Sequence, residues 1–287
     1  MVNLANPKTL YISDLDGTLL NRSAELSVYT ITTLNSLIAG GVQFSVATAR
    51  TAATTVHLLE SVAIGVPIIL MNGVLIYDLL SRRYVKKELL DKPETEKLIS
   101  AMKKTGQAGF MYALSGDELI TYYERLENGV MKSFVEERMR KYNKKFTQIG
   151  DFACAETDII YFCFLDVKEK IHRLYDEVAG IPGIRIEKYQ DIYSKDSWYL
   201  EAFSDTASKY NSVQFLRREY GFDKIIGFGD NLNDLPMFDA CDECYAVANA
   251  KQELKDKATA VIGFNYDDGV AKWMEKNINT EITSITL

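Results

Sequence analysis

Four apolar runs, "TLYISD", "VQFSVAT", "VPIILMN" and "KIIGFGD", each close on a polar residue, and helical stretches such as "LSVYTITTLNSLIAG" and "ASKYNSVQFLRREYG" lie beside them. Strand patterns that alternate with helical ones predict an α/β fold with a mainly parallel sheet. In an open parallel sheet, ligands bind outside the carboxyl ends of the strands. The closing residues Asp14, Thr48, Asn72 and Asp230 are therefore expected to converge on one crevice.

The middle of the chain reads differently. Two helical stretches rich in Lys and Glu alternate there with aromatic runs such as "ELITYYE" and "DIIYFCFLD", and "DIIYFCFLDVKEKIHRLYDEVAGIPGIRIEKY" has the pattern strand, helix, strand. We read a second, α+β domain over residues 85–193, inserted into a first domain made of 1–84 and 194–287. A chain of 287 residues has room for both cores. Its 47% hydrophobic and 25% charged residues are those of a folded globular protein.

Several function classes fall away. A net charge of −7 argues against general nucleic-acid binding, which needs Lys and Arg to neutralise phosphates. Residues 62–80 are apolar enough for a membrane span, but Pro67, Asn72-Gly73 and Asp78 suit two short buried strands joined at a turn. The amino terminus lacks the pattern of a secretory signal, so a cytoplasmic location is expected. Cys154, Cys163, Cys241 and Cys244 are too few and scattered for a disulfide framework, and neither His57 nor His172 joins "CDEC" in a zinc pattern.

Asp14, Asp16 and Glu25 occupy three places of a calcium loop, but Leu19 stands where that loop needs Gly. "GFGDNL" starts like a dinucleotide fingerprint, yet Leu232 replaces its last Gly. The plain reading of Asp14 and Asp16 is a pair of turn formers. Against it stands a second acidic cluster, "GFGDNLNDLPM", after another apolar strand. Brought together, Asp14, Asp16, Asp230 and Asp234 repel. At an effective dielectric of about 20, two unit charges about 4 Å apart cost roughly 4 kcal/mol. A hard dication relieves this, and Mg²⁺ with its oxygen ligands commonly shares its remaining sites with a phosphate. The pattern points to phosphoryl chemistry.

"DLDGTLL", "SVATAR", the Lys of "ASKYNSVQFL" and "GDNLNDLPM" resemble, in order and spacing, the four motifs of the haloacid dehalogenase-like hydrolases. The insertion and the tail "YAVANAKQELKDKATAVIGFNYDDGVAKWMEK" are similar to the Cof-type branch with its IIB cap. The resemblance implies a Rossmann-like parallel-sheet hydrolase core with an inserted α+β cap. It also implies a phosphatase of small phosphorylated metabolites that works through an aspartyl phosphate. It would make Asp14 the nucleophile and Asp16 the general acid and base. Mg²⁺ would sit on Asp14, the carbonyl of Asp16 and Asp230, with Asp234 and Asn233 arranged around it. Thr48, Lys209, Arg50, Asn72 and Gly73 would serve phosphate or substrate. Without the resemblance, Lys209 reads as a solvated helix lysine, Arg50 as a structural cation and Asn72-Gly73 as a turn. Rival readings are a phosphomutase and a non-catalytic ligand-binding regulator. The chain departs from the family pattern at Ala49, Tyr210 and Ala248, where glycine is usual.

Overall fold

In a computed structural model, which describes residues 7–155, 157–191 and 196–284, three of the four apolar runs form neighbouring strands of one parallel sheet. Leu10 and Ile12 of the first strand, β1 (Thr9–Ser13), have no solvent exposure. After β1 come α1 (Val28–Ala39), β2 (Gln43–Val46), α2 (Ala52–Leu59), β3 (Ile68–Leu70), β4 (Leu75–Asp78) and β5 (Arg83–Lys87). The middle of the chain adds α3 (Lys92–Thr105), β6 (Phe110–Ser115), β7 (Glu118–Tyr123), α4 (Gly129–Tyr142), β8 (Phe146–Gln148), β9 (Asp158–Asp166), α5 (Lys168–Val178), β10 (Ile184–Gln190) and β11 (Trp198–Ser204). The last part contributes α6 (Lys209–Tyr220), β12 (Lys224–Gly229), α7 (Leu235–Ala240), β13 (Glu243–Ala246), α8 (Gln252–Lys257), β14 (Ala260–Val261) and α9 (Gly269–Ser284).

The chain divides into two compact units, residues 1–86 with 208–287, and residues 87–207. The expected boundary at 193/194 lies outside the described residues. The division falls later because β11 pairs with β9 and β10 of the inserted sheet. The first six residues of the stretch read as lacking a secretory signal are also outside the described residues.

In the first unit a sheet of order β14-β13-β12-β1-β2 pairs in parallel throughout. That places the carboxyl ends of β1, β2 and β12 at one edge. The third apolar run differs from expectation: β3 is only three residues long and pairs antiparallel with β4, in a small sheet of order β3-β4-β5. It meets the parallel sheet through one parallel bridge, Ala47 to Ile69, beside which the Thr48 N–H donates to the Ile69 carbonyl (2.9 Å). The turn of Met71, Asn72 and Gly73 ends β3 early, because all three have positive φ (51°, 54° and 102°). Residues 62–80 are therefore two short strands and a turn, and among the described residues no helix is long and apolar enough to cross a membrane.

The inserted unit is a six-stranded sheet of order β10-β11-β9-β6-β7-β8. Strand alternation sends Met111, Phe162, Phe164 and Leu200 to one face, where they form a core with Leu98 and Met102 of α3 and Ile171 and Leu174 of α5. The opposite face carries Phe110 and Cys163, and α4 covers part of it by stacking Phe134 on Phe110 (centroids 5.0 Å apart).

The Met71 to Gly73 turn fastens the first unit. A Cβ at Gly73 would stand 2.3 Å from the Ser208 carbonyl oxygen, just before α6, and the Ser212 hydroxyl donates to the Gly73 carbonyl (3.2 Å). Gly73→Ala adds both positive-φ strain and a backbone clash, and is expected to cost roughly 2–4 kcal/mol. The two tryptophans lie in different units, Trp198 in β11 and Trp273 in α9. Urea unfolding followed by Trp273 fluorescence in a Trp198→Phe background reads this cost. An unchanged midpoint would show that the close approach is not obligatory.

Candidate active site

The site is built where β1 and β12 end. β1 delivers Asp14, 5% exposed, whose N–H donates to the Phe228 carbonyl (2.9 Å). The chain then enters a wide turn, Leu15–Leu19, in which Gly17 has φ +79°. Glycine is required here for two reasons. Its φ disfavours other residues, and a Cβ would lie 2.3 Å from Asp230 Oδ2. The Thr18 hydroxyl donates to Asp230 Oδ1 (3.3 Å), and Asn249 Nδ2 donates to the Gly17 carbonyl (2.7 Å).

β12 delivers Asp230, and the turn after it returns Asp234, which has no solvent exposure. Asp234 Oδ2 accepts the N–H groups of Asp230 (3.0 Å) and Asn231 (3.1 Å). A Cβ at Gly229 would touch the Asp234 side chain at 2.9 Å, so this closure also depends on glycine. α6 supplies the cation. Its cap Ser208 accepts the Asn211 N–H (3.0 Å), and its first residue, Lys209, is 1% exposed. Lys209 Nζ donates to Asp14 Oδ1 and to Asp234 Oδ1, both at 2.7 Å.

Charge dominates this arrangement. Burial, and then the Asp234 charge, push the Asp14 carboxyl well above its usual range, with Lys209 acting in the opposite sense. Asp230 is pushed up to about 7 by burial and then by Asp234. Burial alone would depress Lys209, but Asp14 and Asp234 outweigh it and raise the ammonium above the ordinary lysine range. One oxygen each from Asp14, Asp230 and Asp234 lie within 4.8 Å of one another. Three carboxylates and one lysine leave an excess of negative charge that a hard divalent cation fits. Asp14 and Asp230 each keep one oxygen without a hydrogen bond among the described residues, whereas both Asp234 oxygens are engaged. Two available carboxylates suit Mg²⁺, which typically takes one or two and keeps several waters.

The other expected residues lie on the turns that follow β1, β2, β3 and β12. The Asp16 carboxylate stands outside it and takes the Arg50 fork, Nε to Oδ2 at 2.7 Å and Nη2 to Oδ1 at 2.6 Å. The Asp16 side chain is 53% exposed. The loop after β2 is joined to the Met71 to Gly73 turn by backbone bonds, Asn72 N–H to the Thr48 carbonyl (3.0 Å) and Met71 N–H to the Arg50 carbonyl (3.1 Å). The Thr48 hydroxyl accepts the Arg50 N–H (3.2 Å). Asn233 Nδ2 reaches Asn72 Oδ1 at 3.5 Å, linking this loop pair to the Asp230 turn.

Sequence reasoning did not single out Thr18, Ser208 or Asn249. Thr18 follows Gly17 within the quoted motif, and Ser208 directly precedes Lys209, a cap signal ahead of a helical pattern. Asn249, within "ANA", carried no local signal of its reach to Gly17.

Known proteins match the chain in sequence and in fold. The chain is 23% identical over 274 residues to pyridoxal phosphate phosphatase YbhA of Escherichia coli (strain K12), covering 92% of this chain and 97% of that protein. A haloacid dehalogenase-like hydrolase from Bacteroides thetaiotaomicron superposes with a TM-score of 0.78 at 21% identity, covering 93% of this chain and 98% of the other. A HAD subclass IIB sugar phosphatase superposes with a TM-score of 0.69 at 18% identity, covering 94% and 98%. The family model described as haloacid dehalogenase-like hydrolase matches residues 11–274. With its parallel-sheet core and the acidic strand ends above, the chain belongs to the haloacid dehalogenase-like hydrolase family.

Proposed function

We propose that this hydrolase is a Mg²⁺-dependent phosphatase of small organic phosphate monoesters, sugar phosphates or related metabolites, acting through an aspartyl phosphate on Asp14. The observation that carries the reading is the buried contact of Lys209 with Asp14 and Asp234, 2.7 Å to each. It holds the Asp14 carboxylate by Oδ1 and so fixes its orientation at the end of β1. A carboxylate nucleophile divides one difficult displacement into two easier ones.

Asp16 is proposed to protonate the departing alcohol and then to take a proton from the hydrolytic water, a role typically worth about 10²- to 10⁴-fold in rate. Its pairing with Arg50 holds the carboxylate two residues from the nucleophile. Lys209 and Thr48 are proposed to hold the phosphoryl oxygens, Lys209 countering negative charge as it builds up. Arg50, Asn72, Gly73 and Asn233 complete the substrate side. Asp14, the Asp16 carbonyl and Asp230 would hold Mg²⁺, with Asp234 supporting them from beside Lys209. When bound, the ion supplies charge neutralisation between carboxylates and incoming phosphate.

Phosphate release across a panel of phosphate monoesters tests the reading. Asp14→Asn is expected to fold, because Lys209 keeps Asp234 as its partner and the charges of the three groups then cancel. Its turnover is expected to fall below detection, and a folded Asp14→Asn protein with near-normal turnover would overturn the nucleophile. Chelator is expected to abolish activity and added Mg²⁺ to restore it. Full turnover in chelator would remove the metal from the reaction.

The inserted unit is proposed to select the substrate, since the candidate site residues all lie outside residues 87–207. Exchanging that segment for the matching segment of a relative with other preferences should carry the ranking across the panel with it. A ranking that stays with the rest of the chain would assign selection to residues such as Tyr210.

A further inference from the structure

Among the described residues two lysines are buried, and their surroundings are opposite. Lys209 has two carboxylates. Lys144, in the inserted unit and 6% exposed, has none. Among the described residues its ammonium makes no hydrogen bond and no ion pair. It lies 4.3 Å from the ring centroid of Tyr112 and 5.3 Å from that of Phe146. Ring faces attract a cation, but they do not replace a counter-ion, because a desolvated charge is expensive unless paired.

The position is built by the end of α4. Asn143, with φ +48°, turns the chain, and the Lys144 N–H returns to the Arg138 carbonyl (3.2 Å). This sets Lys144 over the sheet face opposite the α3 and α5 core, beside Arg138. The Arg138 guanidinium lies 3.5 Å from the Phe134 ring centroid, and its ion pair with the half-exposed Glu137 is long, at 3.9 Å.

The groups that face Lys144 do not neutralise it. Arg138 on α4 adds a second positive charge. Tyr112 on β6 and Cys163 on β9 are both pushed above their ordinary ranges, primarily by burial, and so remain uncharged. Glu201, cross-strand from Cys163 on β11, is raised to about 7, first by burial, with Tyr161 and Tyr189 acting in the opposite sense. Burial, and then Arg138, lower Lys144 itself to about 7. The Lys144 residue as a whole keeps 6% of its surface exposed. Lys144 has no anionic partner among the described residues, and Arg138 has only its long pair with Glu137.

We propose that Lys144 and Arg138 form a binding site for a small organic anion whose carboxylate or phosphate-type oxygens engage the two cations while its body lies against the half-buried Phe146 ring. This site lies within the inserted unit and does not depend on the chemistry proposed for Asp14. An anion there favours the charged form of Lys144, so binding at pH 8 takes up a proton and is tighter at pH 6.

Isothermal titration of the full chain with benzoate and with phenylphosphonate tests this, in two buffers of different ionisation enthalpy, with benzyl alcohol as the neutral counterpart. The two anions separate carboxylate from phosphate-type recognition. The expected result is binding of at least one anion with proton uptake at pH 8 and at least tenfold weaker binding of benzyl alcohol. Lys144→Met should weaken the anion at least tenfold. Lys144→Arg, which cannot give up its proton, should keep binding and lose the proton uptake. The proposal is overturned if neither anion binds, if benzyl alcohol binds as well as the anions, or if Lys144→Met or Lys144→Arg titrates like the wild type.

Discussion

The Lys209 ammonium between Asp14 and Asp234 is the contact on which the rest of the core unit depends. A lysine taken out of water is costly unless paired and hydrogen-bonded, and here it meets two carboxylates at 2.7 Å. The carboxylates need it equally, because three acidic groups share a space in which their oxygens lie within 4.8 Å. Each group makes burial of the others tolerable. The arrangement ties the end of β1, the start of α6 and the turn after β12 into one charged centre.

That centre sets conditions on the backbone around it. Gly17 lets the first turn approach Asp230, Gly229 lets Asp234 fold back over its own strand, and Gly73 lets the Met71 to Gly73 turn lie against the start of α6. The positions where glycine is usual in the family but absent here are different in kind. Ala49 and Ala248 do not have positive φ, and Tyr210 lies in the first turn of α6 with its side chain 41% exposed. Neither conformation nor crowding requires glycine at them. These departures therefore leave the charged centre untouched.

Lys209 and Lys144 show how one residue type takes its character from its neighbours. Lys209, with carboxylates on either side, is held in its charged form. Lys144, set on aromatic rings beside Arg138, is brought to about 7. The inserted unit thus carries its own electrostatic tension, on a sheet face away from its apolar core. One face of its sheet is almost wholly hydrophobic while the other gathers Tyr112, Tyr161, Cys163 and Glu201.

The sequence by itself determined the alternating plan and the acidic strand ends, because apolar runs, helix periodicity and their closing polar residues are local properties. β1, β2 and β12, the helices beside them and the β9-α5-β10 segment appear where those patterns put them. The third run was less legible. Its apolar character matched a sheet strand, but three consecutive positive-φ residues cut β3 short and moved its pairing to β4. Only the tertiary structure decided that Lys209 is buried rather than solvated, that Arg50 clasps Asp16, and that Asn249 holds the Gly17 carbonyl. The first and last of these contacts join residues 195 and 232 positions apart. Such bonds form only after packing has removed water and brought distant segments together, so no local pattern in the chain specifies them.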